Sequence, residues 1–202
     1  MTPEEHVAAW SEVHGGIEPS PLVRRYLRLV LRLARPVART GVHPDLLTLL
    51  ALAVAAPVLW TPARPAAVLL LVSLVLDALD GTVALVQRRP TRWGYLVDSL
   101  ADRLVDSLVL VALWRAGAPA AEAVGCGLAV MLLEYTRARA GNAGGDEVGA
   151  VTVAERPVRV LVPVCGLLLA RPTAALVVLT ALTCAALVQL LVAVRRQLAA
   201  RE

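Results

Sequence analysis

Five aspartates stand inside two consecutive apolar stretches of this sequence: Asp77 and Asp80 in 66–86, and Asp98, Asp102 and Asp106 in 94–114. A carboxylate surrounded by hydrocarbon is costly, so it is tolerated only where partners or cations offset its charge. The chain must fold so that these groups converge. Read as helices, the stretches make Asp77 and Asp80 i, i+3 neighbours and Asp98 and Asp102 i, i+4 neighbours, so each pair shares one helical face. Four more apolar stretches, at 46–60, 119–134, 157–170 and 173–194, complete a set of six. With 58% apolar residues and a mean hydropathy of +0.69, the composition excludes an ordinary soluble domain. We expect an all-α membrane protein with six transmembrane helices. The shorter stretches need polar interface residues at their ends to reach the roughly 20 residues of a span.

Turn signals separate the stretches. Pro57, Pro62 and Pro65 punctuate the first connection, Arg88-Arg89-Pro90 breaks the second, and 141–149 reads as a polar loop before the fifth helix. Pro157 stands where that helix should begin. Lysine is absent, so orientation is read from arginine alone. Sixteen arginines lie ahead of the first stretch, in the second and fourth connections and in the tail, against three (Arg64, Arg115 and Arg171) in the opposite connections. The bias puts both termini and the acidic residues on the cytoplasmic side of a multi-pass cell-membrane protein.

Residues 1–21 read as a polar N-terminal segment without a continuous apolar run, so no cleavable leader is expected. Residues 22–40 differ. Arg25, Arg28, Arg32, Arg35 and Arg39 recur at spacings of three and four, while Val23, Tyr26, Leu27, Val30, Leu33, Ala34 and Val37 fill the opposite face. This pattern predicts an interfacial amphipathic helix, its arginines toward anionic headgroups. Residues 41–202 form the membrane domain. Cys126, Cys165 and Cys184 sit in apolar segments without ligand spacing and read as small core residues.

The two aspartate-bearing helices are joined by a short loop, so they should pack antiparallel with their acidic pairs at similar depth. Four carboxylates brought together cannot all stay ionised without cations. An oxygen-only ligand set with no His or Cys suits Mg²⁺ or Mn²⁺ and argues against zinc. Two divalent ions would offset four charges, an arrangement used for in-line displacement at phosphorus. Gly81, Ala84 and Gly94 leave room beside the acids for another group to approach.

The run Asp77-Ala-Leu-Asp80-Gly81-Thr-Val-Ala84, followed by Gly94-Tyr-Leu-Val-Asp98-Ser-Leu-Ala-Asp102, resembles the signature of the CDP-alcohol phosphatidyltransferases, DxxDGxxAR then GxxxDxxxD. Gly41-Val-His43-Pro44-Asp45-Leu-Leu-Thr48 resembles the segment that opens the first span in that family. The resemblance implies that Asp77, Asp80 and Asp98 hold the metals, with Asp102 both a ligand and the general base on an acceptor hydroxyl. Gly81 and Thr91 would lie against the CDP group of a CDP-diacylglycerol-type donor, with His43, Pro44 and Asp45 at its rim. The product would be a phosphodiester lipid, released with CMP by a membrane-embedded homodimer. No nucleic-acid partner is implied.

Leu85 stands where the signature has arginine, and Arg88, one helical turn on, is expected to reach back to the donor's phosphates. Tyr135-Thr-Arg137-Ala-Arg139 and Glu155-Arg156-Pro157-Val-Arg159 resemble segments of actinobacterial-type phosphatidylinositol-phosphate synthases, where basic residues receive the acceptor's phosphate. Inositol phosphate is therefore the expected acceptor, and glycerol 3-phosphate the alternative. Two other readings stay open at this point: a non-catalytic CDP-lipid-binding relative, suggested by Leu85, and a cation transporter, suggested by buried aspartates. Arg103 is expected to pair with a nearby acid, and Asp106 to have a structural role.

Overall fold

A computed structural model describes residues 1–13, 18–142 and 151–199. The described residues form eight α-helices and one 3₁₀ turn, with no strand. The helices are α1 (Pro3–Val13), α2 (Pro21–Arg39), α3 (Pro44–Ala55), α4 (Ala63–Val86), α5 (Arg92–Arg115), α6 (Ala120–Asn142), α7 (Arg156–Leu168) and α8 (Pro172–Ala199); the 3₁₀ turn Ala56–Leu59 extends α3. Most of the polar loop expected over 141–149 lies outside the described residues.

Two helices, α4 and α8, are long and apolar enough to cross a membrane unaided. A third crossing is available to the pair Val23–Arg39 and Pro44–Leu59, which is bent by 113° at its break. The others fall short for physical reasons. α5 carries Asp98, Asp102, Arg103 and Asp106 within its apolar length, and α7 has 13 residues with Pro163 inside it. Such helices need neighbours to cover their polar groups.

The core supplies those neighbours. α3 packs most extensively on α4, which also meets α2 and α7, while α8 packs on α6 and α7. Ala67, Leu70, Val105, Val109, Leu113, Val164 and Leu176 interlock in the largest apolar cluster. α4 and α5 touch each other less than either touches α3. The two arms expected to pack antiparallel are thus joined chiefly through α3, which packs on both.

On α2, Leu27, Val30, Leu31 and Ala34 are buried, and the five arginines of its stripe are exposed. Ser20 caps the helix through the Val23 amide at 3.3 Å. Gln87, at the end of α4, donates to the carbonyls of Ala38 and Val42 at 3.2 and 3.0 Å. This contact locks the α2–α3 corner onto α4.

The segment 1–21 holds more structure than its polarity suggested. Thr2 accepts from the Glu5 amide at 3.1 Å, and Glu5 accepts from the Thr2 amide at 2.7 Å. This reciprocal capping box starts α1, with Pro3 in the first turn. Arg35 of α2 donates to the Met1 carbonyl at 2.9 Å, so one arginine of the stripe holds α1 instead of facing outward alone.

Candidate active site

Asp77, Asp98 and Asp102 come together from α4 and α5, with one ligand oxygen each within 4.8 Å of the others. The 3.6-residue repeat explains why. Asp98 and Asp102 stand one turn apart on the face of α5 that looks toward α4, and Asp77 joins them from α4. Oxygens sharing one Mg²⁺ or Mn²⁺ at about 2.1 Å from it span up to roughly 4 Å, so to hold an ion the cluster would tighten slightly and release the Arg156 guanidinium that pairs with Asp77 and Asp102. The donor set is carboxylate only, as those ions prefer.

Asp80, the fourth expected ligand, stands just outside this trio. It is buried at 5% exposure, and its Oδ2 accepts a hydrogen bond from the Thr48 hydroxyl at 2.6 Å. Thr48 itself is buried one turn into α3. A charged hydrogen bond of this kind contributes about 1.5–3 kcal/mol, and it fixes the carboxylate's rotamer. The motif that contains Asp80 said nothing of this partner; only the packing of α3 on α4 reveals it.

A cavity of about 430 Å³ opens beside the acids, within the size range of small-molecule sites. Asp98 belongs both to the carboxylate trio and to the cavity wall. Asp80, Gly81, Ala84 and Leu85 line it from α4, Thr91 and Gly94 from the start of α5, and Pro44, Asp45 and Thr48 from α3. A Cβ on Gly81 would meet nothing within 4 Å, so the glycine faces open space. Gly94 is different: a Cβ there would stand 3.0 Å from Asp45 Oδ1 and 3.0 Å from Thr91 Oγ1. Its absence lets α3 approach the α5 cap, where Thr91 accepts from the Gly94 amide at 2.9 Å.

His43 does not line the cavity. It precedes α3 as its N-cap residue, largely exposed, with Nδ1 3.7 Å from Asp45 Oδ1. Arg88 does not line it either, and Arg89 does. α4 ends at Val86, and Arg88 adopts a left-handed φ of 55°. The Arg88 amide then donates to Leu85 and the Arg89 amide to Ala84, at 3.1 and 2.9 Å, a Schellman closure. Extending the helical face from Leu85 to Arg88 fails because the helix has already stopped. The chain reversal brings Arg89 to the cavity instead.

The four arginines expected to receive an acceptor have unequal surroundings, and none lines the cavity. Arg156 pairs with Asp77 at 2.7 Å and also with Asp102, which puts its positive charge on the cluster itself. Arg159 is 3% exposed; it donates to Glu134 at 2.7 Å and stands 3.4 Å from Asp106. Arg103 joins the same network, 3.2 Å from Asp106 and 3.7 Å from Glu134. Asp106 thus has ion-pair partners inside the bundle, as its place beyond the signature suggested. Arg137 pairs with Glu155 at 3.2 Å and Glu134 at 3.6 Å, while exposed Arg139 lies 5.9 Å from the Tyr135 ring centroid.

α1 and α2 close the far side of the cavity through His6, Ala9, Trp10, Tyr26, Leu27 and Val30. The α1 residues escaped sequence reasoning. The Thr2-Pro3-Glu4-Glu5 start signal was available, but no apolar periodicity follows it.

Apolar helices around a half-buried carboxylate cluster beside a cavity define the class, a membrane protein that is all-helical over the described residues and carries an acidic site. Residues 41–196 match the model of the CDP-alcohol phosphatidyltransferase family, and the chain belongs to that family of transferases. The archaetidylinositol phosphate synthase of Methanothermobacter thermautotrophicus is 34% identical over 142 residues, covering 65% of this chain and 70% of the relative. The phosphatidylinositol phosphate synthase of Mycolicibacterium smegmatis is 32% identical over 156 residues, covering 67% and 68%. Among solved structures, the phosphatidylinositol phosphate synthase of Mycobacterium tuberculosis has the same fold. Its complex with manganese and citrate gives a TM-score of 0.68 at 23% identity, over 82% of this chain and 88% of that one. Its complex with CDP-DAG gives 0.67 at 24% identity, over 83% and 94%.

Proposed function

We propose that this enzyme transfers a phosphatidyl-type group from a CDP-linked lipid donor, such as CDP-diacylglycerol, to a hydroxyl of inositol phosphate, releasing CMP. The observation that carries this reading is that Asp98 is shared between a three-carboxylate cluster and the wall of a cavity large enough for a nucleotide. The names of the relatives support the acceptor, since both kinds of synthase are named for inositol phosphate lipids. The Mycobacterium tuberculosis complexes support the donor and the metal.

Two divalent ions, Mg²⁺ or Mn²⁺, held by Asp77, Asp80, Asp98 and Asp102, would neutralise charge on the donor's phosphates and on the attacking oxygen. The chain's own groups do the rest. Asp102 takes the proton of the acceptor hydroxyl as its oxygen bonds to the lipid-side phosphorus. The bond from that phosphorus to the oxygen bridging to CMP breaks, and CMP leaves with the electron pair. Gly81, Ala84 and Gly94 let the donor come close to backbone. Arg89, on the cavity wall, supplies the cation that Leu85 lacks and that Arg88, which does not line the cavity, leaves unsupplied. Pro44, Asp45 and Thr91 border the nucleotide.

Arg156, beside Asp102, is the arginine best situated to meet the acceptor's phosphate, with Arg137 and Arg139 further out. Arg159, committed to Glu134 and Asp106, holds α7 so that Arg156 is presented. Six spans, with α2 on the cytoplasmic interface and the site at that surface, accommodate these polar groups, and a homodimer completes the proposal.

CMP release tests the reading. Purified enzyme receives CDP-diacylglycerol, Mg²⁺ or Mn²⁺, and either inositol phosphate, glycerol 3-phosphate or no acceptor. Release should require inositol phosphate and metal, and Asp102→Asn should lower it by roughly 10²–10⁴-fold, the usual worth of a general base. Unchanged release in that variant would remove Asp102 as the base. Release with glycerol 3-phosphate alone would replace the acceptor.

A further inference from the structure

His6 is 4% exposed, and neither imidazole nitrogen has a hydrogen-bond partner. It nevertheless lines the cavity that holds Asp80, Gly81 and Asp98. Native structures rarely leave a buried polar side chain unpaired, because its desolvation is then uncompensated. Such a group marks either a binding partner that comes and goes or an ordered water.

Local structure favours the first. α1 is capped at its start by Thr2 and Glu5 and tied to α2 through Arg35, so His6 is held in position. His6, Ala9 and Trp10 stand at i, i+3 and i+4 and form the single face that α1 turns to the cavity. Burial lowers the imidazole's pKa, leaving a neutral ring with one N–H to donate and one nitrogen to accept. A nucleotide head group, with its phosphate and ribose oxygens and ring amine, offers both kinds of partner.

We propose that α1 forms a wall of the donor cavity and that His6 hydrogen-bonds the nucleotide head group of the bound CDP-lipid. The inference rests on the donor reading above and adds a donor-binding residue from outside the family-matched segment 41–196. His6 belongs to neither the carboxylate cluster nor the signature.

The test uses the full chain in detergent with Mg²⁺ and cytidine diphosphate as probe, read by thermal shift and by calorimetric titration. His6→Leu replaces an unpartnered polar ring with an apolar side chain, so the ligand-free melting temperature should hold or rise. Affinity for cytidine diphosphate should fall roughly fivefold to tenfold, the effect of one lost hydrogen bond. His6→Gln, which keeps a donor and an acceptor, should retain most of the affinity. Should His6→Leu fail to fold, ¹⁵N resonances of the wild-type imidazole should shift on adding cytidine diphosphate. Equal affinity in wild type and His6→Leu, or unmoved resonances, overturns this inference alone and leaves water as the partner of His6. A wild-type chain that does not bind cytidine diphosphate overturns the donor reading and this one with it.

Discussion

Gly81 faces the cavity beside Asp80, and a Cβ there would touch nothing in the protein. The two consequences of adding that atom have opposite signs. Within a helix, alanine is about 0.5–1 kcal/mol more favourable than glycine, so Gly81→Ala should be as stable as the wild type or more so. If donor phosphates pack against this backbone, the same methyl group obstructs them. We expect an unchanged or higher melting temperature together with a KM for CDP-diacylglycerol raised at least several-fold, both measured on the same preparation. The acids and small residues of this site were legible in the sequence, because their spacing of three or four is itself the geometry of a helix face. Their partners were not. The Thr48 hydroxyl on Asp80 and the Arg156 guanidinium on Asp77 and Asp102 arrive from helices whose packing no local pattern specifies.

The end of α4 decides which of two adjacent arginines lines the cavity, and so which one the proposed reading gives to the donor. Arg88 takes the left-handed position that glycine usually fills at such a closure. A non-glycine residue there costs about 1–2 kcal/mol. Arg88→Gly should therefore raise the melting temperature by roughly 2–4 °C per kcal/mol and leave CMP release near its wild-type rate. Arg89→Gln should lower donor affinity roughly tenfold to a hundredfold, as expected for a lost charge-assisted contact of about 1.5–3 kcal/mol. A reversal of these phenotypes would restore Arg88 to the role its sequence position suggested. The element-level reading went astray where it extended α4 by one turn. Gln87 as the final helical cap and the chain reversal behind it depend on contacts with the α2–α3 corner. α1 is the reverse case: a start signal of Thr, Pro and Glu stood in the sequence, and the polarity of the segment concealed it.

Across the molecule, the apolar stretches located most of the helices, and the aspartates identified the pair that matters. The number of crossings is harder to read. α5 and α7 carry charge or are short, and they are sheltered by their neighbours, α5 chiefly by α3 and α6 and α7 chiefly by α4 and α8. The same shelter holds the network of Arg103, Asp106, Glu134 and Arg159, in which removing one partner leaves a buried charge uncompensated. Such a network binds α5, α6 and α7 into one frame, and the frame holds Asp98 and Asp102 toward Asp77. Titration of Mn²⁺ into metal-free enzyme, followed by the loss of its free-ion electron paramagnetic resonance signal, tests that convergence most directly. The wild type should bind Mn²⁺ with its affinity increased by cytidine diphosphate, and Asp98→Asn should abolish most of that binding without unfolding. Undiminished Mn²⁺ binding by a folded Asp98→Asn variant would contradict the carboxylate cluster as the metal centre.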